Sequence, residues 1–226
     1  MDLLRRMIVL RPEEGRYPEI LARLAFEASG STRELEVLLA QPDSRGRALH
    51  DQIRLALYQS AFAEVIRLDR LRSAPSDQFW GLDPDIALAC RAQGEGAAAD
   101  GRLRDTAVSL RAQLAPDPDN TRLIRYLARI EAALGNKAVA LGLAERAMTL
   151  THGRGFVGAN ARYVLVEVCA LVGEKDRAIA ELKALLQIPS PANVHELRVL
   201  PVFQNLRRDP RFEALLADPK NNAPLF

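Results

Sequence analysis

Three arginines, Arg122, Arg125 and Arg129, follow i, i+3, i+7 spacing and share one face of any helix that contains them. Guanidinium groups in such a strip hold carboxylates through charge-assisted, bidentate forks. The other residue types that carry chemistry are scattered. His50, His152 and His195 lie far apart, and none forms a His-x-x-x-His pair or has a cysteine nearby, so surface or packing roles fit them better than a metal site. Cys90 and Cys169 sit 79 residues apart in apolar helical patterns and read as small buried hydrophobes. Gly153-Arg154-Gly155-Phe156-Val157-Gly158 has the spacing of a dinucleotide fingerprint, but a helical pattern precedes it where that fingerprint needs a strand. A flexible connector is the better reading. Asp117, Asp119 and Asn120 are a fragment of a calcium loop without its remainder, and a helix-joining turn accounts for them. No nucleophile elbow is present. The expectation is therefore no catalytic residue, no metal and no cofactor.

Composition agrees with a helical chain. Its 226 residues suffice for one large domain or two ordinary ones, with 48% hydrophobic, 27% charged and only 5% aromatic residues. Alanine and leucine fill much of the apolar share, which favours packed helices over a β-sandwich. The net charge of +2 implies neither nucleic acid nor a membrane surface as partner. Lysine occurs only at 137, 175, 183 and 220, so 27 of the 31 basic residues are arginine. Either a GC-rich bacterial genome or selection for planar anion recognition explains that bias. No apolar run approaches the length of a membrane span, and Met1 to Leu10 lacks the features of a signal peptide.

The elements follow from periodicity. Leu3 to Leu10 reads as a lone helix stopped at Pro12, and Tyr17 to Ala28 as a helix ended at Gly30. Glu34 to Ala40, Gly46 to Gln59 and Ala61 to Leu71 follow, with stops at Pro42 and Pro75. Ser76 to Pro84 looks inserted and contains Phe79 beside the only tryptophan, Trp80. This aromatic pair is either a contact site or a cover for a gap between irregular helices. Asp83-Pro84 reads as a cap followed by proline in the first helical position. Ile86 to Ala99 and Leu103 to Ala115 pair across Gly101, Asn120 to Leu150 forms a hairpin around Gly135, and Ala159 to Val172 pairs with Lys175 to Gln187 across Gly173. Asp209 caps a last helix that starts at Pro210.

Gly101 and Gly135 are 34 residues apart, and Gly173 follows after 38. A unit of about 34 residues with two helices and a closing proline is the period of the tetratricopeptide repeat. The chain resembles that family at Gly94, Gly101 and Pro118 in one unit, at Leu127, Ala128, Gly135, Ala140, Ala144 and Ala147 in the next, and at Leu165, Gly173, Ala178, Leu182 and Leu185 in the last. The tail from Val194 to Leu216 resembles the ending of bacterial repeat proteins attached to winged-helix regulators, adenylate-cyclase-type proteins or serine/threonine kinases. The resemblance implies an all-α fold, an α-α superhelix of antiparallel helix pairs with a C-terminal capping helix in which Phe212, Leu215 and Leu216 cover the last repeat. It divides the chain into degenerate repeats at 1–77 beginning with a half-repeat, an insert at 78–85, three helix pairs at 86–191, and a cap and tail at 192–226. The half-repeat leads us to expect the carboxyl portion of a longer protein.

In this family the first helix of each unit lines a concave groove. The implied groove residues are Arg122, Arg125 and Arg129, with Arg91 one unit earlier and Asn160, Tyr163 and Glu167 one unit later. The expected function is non-catalytic binding of a protein or peptide, with an acidic segment held in the groove, in a bacterial signalling or regulatory protein. The strip is otherwise an ordinary solvated helix face offset by Glu131. Two alternatives stand: an enzyme on an irregular helical scaffold, which a deep pocket with convergent Asp, Glu or His favours, and self-association through the N-terminal half-repeat. No nucleic acid and no membrane insertion are expected. The expected compartment is the cytoplasm, or the periplasm if the module is carried by a membrane-anchored regulator.

Overall fold

The computed structural model describes residues 2–11, 16–40, 48–72 and 80–222. These residues form thirteen α-helices and no strand. They are α1 (Asp2–Leu10), α2 (Arg16–Ser29), α3 (Arg33–Leu39), α4 (Ala48–Tyr58), α5 (Phe62–Asp69), α6 (Asp83–Ala92), α7 (Gly96–Leu114), α8 (Thr121–Ala133), α9 (Lys137–Leu150), α10 (Phe156–Leu171), α11 (Lys175–Leu185), α12 (Val194–Val199) and α13 (Pro210–Ala217). A 3-10 turn, Pro201–Phe203, separates the last two. No described helix is long and apolar enough to cross a membrane. Pro12, Pro42, Pro75 and Phe79, invoked above as stops and as part of the aromatic insert, lie outside the described residues.

Helix α8 shows how the sequence builds its elements. The Asn120 side chain accepts the Leu123 N–H at 3.2 Å and caps the start. Leu123, Ile124, Leu127 and Ile130 then fall on one buried stripe. Gly135 adopts φ +82°, and the Asn136 N–H returns to the Glu131 carbonyl at 2.9 Å, ending the helix and reversing the chain. On α9, Ala140, Ala144 and Ala147 are wholly buried, so that helix can lie close against α8.

The same reversal recurs. Glu95 N–H bonds Cys90 O after Gly94 (φ +81°), and Glu174 N–H bonds Cys169 O after Gly173 (φ +82°). Ala61 N–H bonds Ala56 O after Ser60, which holds φ +54° without being glycine. The turn residues are therefore 60, 94, 135 and 173, spaced 34, 41 and 38. This corrects the pairing expected at Gly101: that glycine lies inside the nineteen-residue α7, and the turn is at Gly94. The Gly94-Glu95-Gly96 sequence supplies the left-handed turn, while the alanine-rich stretch after it absorbs Gly101 at a cost of about 1 kcal/mol. Asp83 is likewise in the first turn of α6 rather than at its cap, and its carboxylate meets Arg72 at 2.8 Å instead.

The pairs α2/α3, α4/α5, α6/α7, α8/α9 and α10/α11 pack in sequence order, and α8 also packs on both α6 and α10. One hydrophobic cluster runs from Ala22 to Leu216. α13 packs against α11 and α12, burying Phe212 and Leu216, with Leu215 partly buried.

The turn residues yield a pair of opposed stability changes. Ser60→Gly should stabilise by up to about 1 kcal/mol, because a Cβ is removed from a left-handed position, and Gly94→Ala should destabilise by about 1–2 kcal/mol. Urea midpoints check this, and changes of the same sign would refute the backbone account.

Candidate functional site

Helix α10 departs from an ordinary amphipathic helix. From Ala161 to Ala170 every residue except Arg162 is buried, so it needs partners on all sides. α8, α9 and α11 cover three of them. The C-terminal segment covers the fourth: the Pro201–Phe203 turn packs on α6 and α10, and α12 packs on α2 and α4. The tail thus does more than cover the last pair. It runs back along the inner helices to the N-terminal ones.

Specific bonds hold this strap. The Val202 N–H donates to the Asp85 carboxylate at 2.9 Å, the Tyr58 hydroxyl donates to Glu196 at 2.5 Å, and the Asn205 side chain donates to the Ala170 carbonyl at 3.2 Å. The Phe203 ring lies 6.1 Å from Tyr163, and His195 meets Phe26 edge-on at 6.2 Å. A Cβ at Gly30, which has φ +71°, would come within 2.6 Å of the His195 ring. Here glycine serves both the turn and the close approach.

Between the strap, α2, α4, α8 and α10 lies a cavity of about 590 Å³. Arg122, Arg125, Arg129, Asn160, Tyr163 and Glu167 all line it. Arg91 does not: its guanidinium bonds Asp100 at 2.6 Å and the Ala133 carbonyl at 2.7 Å, tying α6 to α7 and to α8. The strap and α2 and α4 contribute Glu196, Arg23, Glu27, Arg54 and Tyr58, none of which the repeat register indicated. The signal for such a cover was in α10 itself. A helix lining an open groove should show a polar face, and Tyr163 to Leu171 offers only Glu167.

The three arginines differ in role. Arg129 is nearly buried, donates to Glu167 at 2.8 Å and lies 3.9 Å from Asp85. Arg122 is exposed, with its guanidinium carbon 5.7 Å from the Tyr126 ring centroid. Arg125 is half-buried, donates only to the Thr121 carbonyl of its own helix at 3.2 Å, and pairs with no carboxylate among the described residues. Burial, and then the neighbouring Arg122 and Arg129, push its pKa down. That is the environment of a cation favoured by an incoming anion.

The carboxylates are all engaged. Asp85 accepts from Val202, Glu167 from Arg129 and Glu196 from Tyr58, while Glu27 pairs with Arg23 at 3.5 Å. Burial raises Asp85 to about 6 and Glu167 to about 7 against the pull of Arg129. The Tyr163 hydroxyl and the Arg129 Nε are buried without a hydrogen-bond partner among the described residues.

Trp80 is 5% exposed and packs edge-on against Tyr126 at 5.6 Å, covering the core beside the site. Residues 151–155 join α9 to α10, so of the Gly153–Gly158 stretch read as a connector, Phe156, Val157 and Gly158 form the first turn of α10 instead. Gly153 and Gly155 have positive φ, and a Cβ at Gly158 would lie 2.9 Å from the Thr151 carbonyl oxygen, so these glycines serve the turn. Asp119 pairs with Arg146 at 2.7 Å, and Asp117 accepts from Asn120. Cys90 and Cys169 are buried free thiols with pKa raised by burial. Compared with protein-family models, curated proteins and solved structures, the chain matches none.

Glu167 predicts a pH dependence. Its folded pKa of about 7 exceeds the ordinary 4.5, so the native state holds the proton more tightly. The associated stability is complete below pH 4.5 and is lost as pH rises through 7, on the order of 3 kcal/mol. Glu167→Gln should therefore gain on the parent by roughly that amount between pH 5 and pH 8, read from urea unfolding. Parallel pH profiles would contradict the assignment.

Proposed function

We propose that the chain is a non-catalytic binding module built as a solenoid of the tetratricopeptide type, and that its cavity receives an acidic segment of a partner protein. Support for the solenoid comes from the serial helix pairs, the recurrent turn, and one spacing, 60 to 94, equal to the family period. The observation that carries the binding reading is Arg125: half-buried on the cavity wall, beside two further arginines and paired with no carboxylate among the described residues. The strap takes up the length of the groove. A partner therefore enters by an acidic side chain or an end and does not lie along the inner helices. The resemblance of the tail supports a bacterial signalling or regulatory protein as the setting of the module, in the cytoplasm, or in the periplasm if a membrane-anchored regulator carries it.

The second reading is an enzyme on the same scaffold. The convergence of Glu27, Asp85, Glu167 and Glu196 on one cavity favours it. Asp85, Glu167 and Glu196 tie elements together around the cavity, however, and all four carboxylates already have protein partners. Arg125, by contrast, is a cation on the cavity wall that pairs with no carboxylate among the described residues, which suits binding an anion better than acid–base chemistry.

A fluorescently labelled octaglutamate peptide tests the reading. Arg125→Glu should weaken its binding at least about tenfold at low salt, while Arg104→Glu, the same charge change at an exposed position on α7, should alter it less than about twofold. Equal weakening by both variants would mean nonspecific attraction and would remove the site.

A further inference from the structure

Exposure along the two inner helices that wall the cavity shows where its mouth lies. On α8, Arg122 is exposed, Arg125 half-buried and Arg129 nearly buried. On α10, Phe156 is 56% exposed, Asn160 is partly buried and Glu167 is buried. All six line the cavity, and the bond from Arg129 to Glu167 joins the two deep ends. The cavity therefore opens between the starts of α8 and α10 and deepens along both. A group entering there meets Arg122 and Arg125 before any of the buried atoms.

Two guanidiniums stand together at that mouth. Arg122 and Arg125 are three residues apart on one face of α8, and Arg122 is near enough to disfavour the charge on Arg125. Arg122 is also in the first turn of α8, where the helix dipole adds positive potential. The carboxylates of the other walls do not supply the balance, since Glu27 pairs with Arg23 at 3.5 Å and Glu196 accepts from the Tyr58 hydroxyl at 2.5 Å. A carboxylate has two acceptor oxygens and one charge, and one guanidinium fork fills it. A phosphate monoester has three acceptor oxygens and a charge of about −1.5 to −2 at pH 7, enough for two forks.

We infer that the anion this cavity takes is a phosphate monoester on a phosphorylated side chain of the partner, held by Arg122 and Arg125 together. The inference deepens the partner-binding function proposed above and rests on it. Because both arginines lie toward the mouth, a short side chain such as phosphoserine reaches them while its backbone stays outside. Phe156, exposed on the same rim, offers apolar contact to the residues that flank the phosphate. Recognition then depends on two arginines acting on one doubly charged group, where a glutamate would engage Arg125 alone.

Fluorescence anisotropy on the full chain tests this with a labelled peptide of glycine, alanine and leucine carrying one phosphoserine, and with the same peptide carrying glutamate or serine at that position. The phosphopeptide should bind at least about tenfold more tightly than the glutamate peptide, and the serine peptide least of all. Arg122→Gln and Arg125→Gln should each weaken the phosphopeptide at least about tenfold, whereas Arg122→Gln should change the glutamate peptide less than about threefold. Arg104→Gln, on the exposed face of α7, should alter neither by more than about twofold. Circular dichroism confirms that each variant is folded. Failure of the phosphopeptide to bind at 1 mM overturns the inference, as does binding that Arg122→Gln leaves intact. If free O-phosphoserine binds as tightly as the phosphopeptide, the site serves a small phosphate ester and the inference of a partner side chain fails. If octaglutamate binds through Arg125 and the phosphopeptide gains nothing over its glutamate counterpart, the inference fails while the partner-binding function stands. If neither octaglutamate nor the phosphopeptide binds, both fall.

Discussion

The packing of the inner helices depends on a nearly buried cation. Arg129 projects from α8, donates to Glu167 on α10 and lies near Asp85 on α6. A charge removed from water persists only when it is paired and its pairing geometry is held. The three helices must therefore keep one relative register, since a one-residue slip on any of them would strand a buried charge. Asp85 extends the constraint by accepting the Val202 N–H, which carries it into the C-terminal segment. A backbone donor there and a side chain on α8 thus answer to the same carboxylate.

That link carries the C-terminal segment over the inner helices and gives the cavity one of its walls. Phe203, Leu206, Val202 and Leu197, all wholly buried, replace solvent along the inner helices. Tyr58 and Glu196 then join the beginning of the chain to its end, 138 residues apart in sequence. Of the aligned arginines, Arg129 is consumed by this closure and Arg122 lies exposed at its edge. Arg125, half-buried between them, lines the cavity and pairs with no carboxylate among the described residues. Equal spacing on a helix gave three residues one face, but burial gave them three different roles.

The helical elements were legible because their signals are local. The Asn120 cap, the apolar stripe of α8 and the glycine turns at 135 and 173 involve residues within one or two helical turns of each other. Misreadings arose where local signals competed. Gly94 and Gly101 both offered a turn, and only the first is followed by a sequence that reverses the chain. Ser60 makes the same reversal with no glycine to mark it. The strap left one trace, the nearly unbroken apolar surface of α10, whose meaning depends on knowing what covers it.

The sequence by itself determined an all-helical chain, most of its turns, and the placement of three arginines on one face of α8, because periodicity, capping and left-handed turns are written within short windows of residues. The tertiary structure decided which arginine is nearly buried, which is exposed and which pairs with no carboxylate among the described residues, and it drew Arg91 away to Asp100. It also decided that the C-terminal segment crosses the inner helices and meets α2 and α4. Those outcomes turn on burial and on pairing across more than a hundred residues. Desolvation and long-range partners set the character of a charge in this protein, and neither is encoded in the spacing of the residues that carry it.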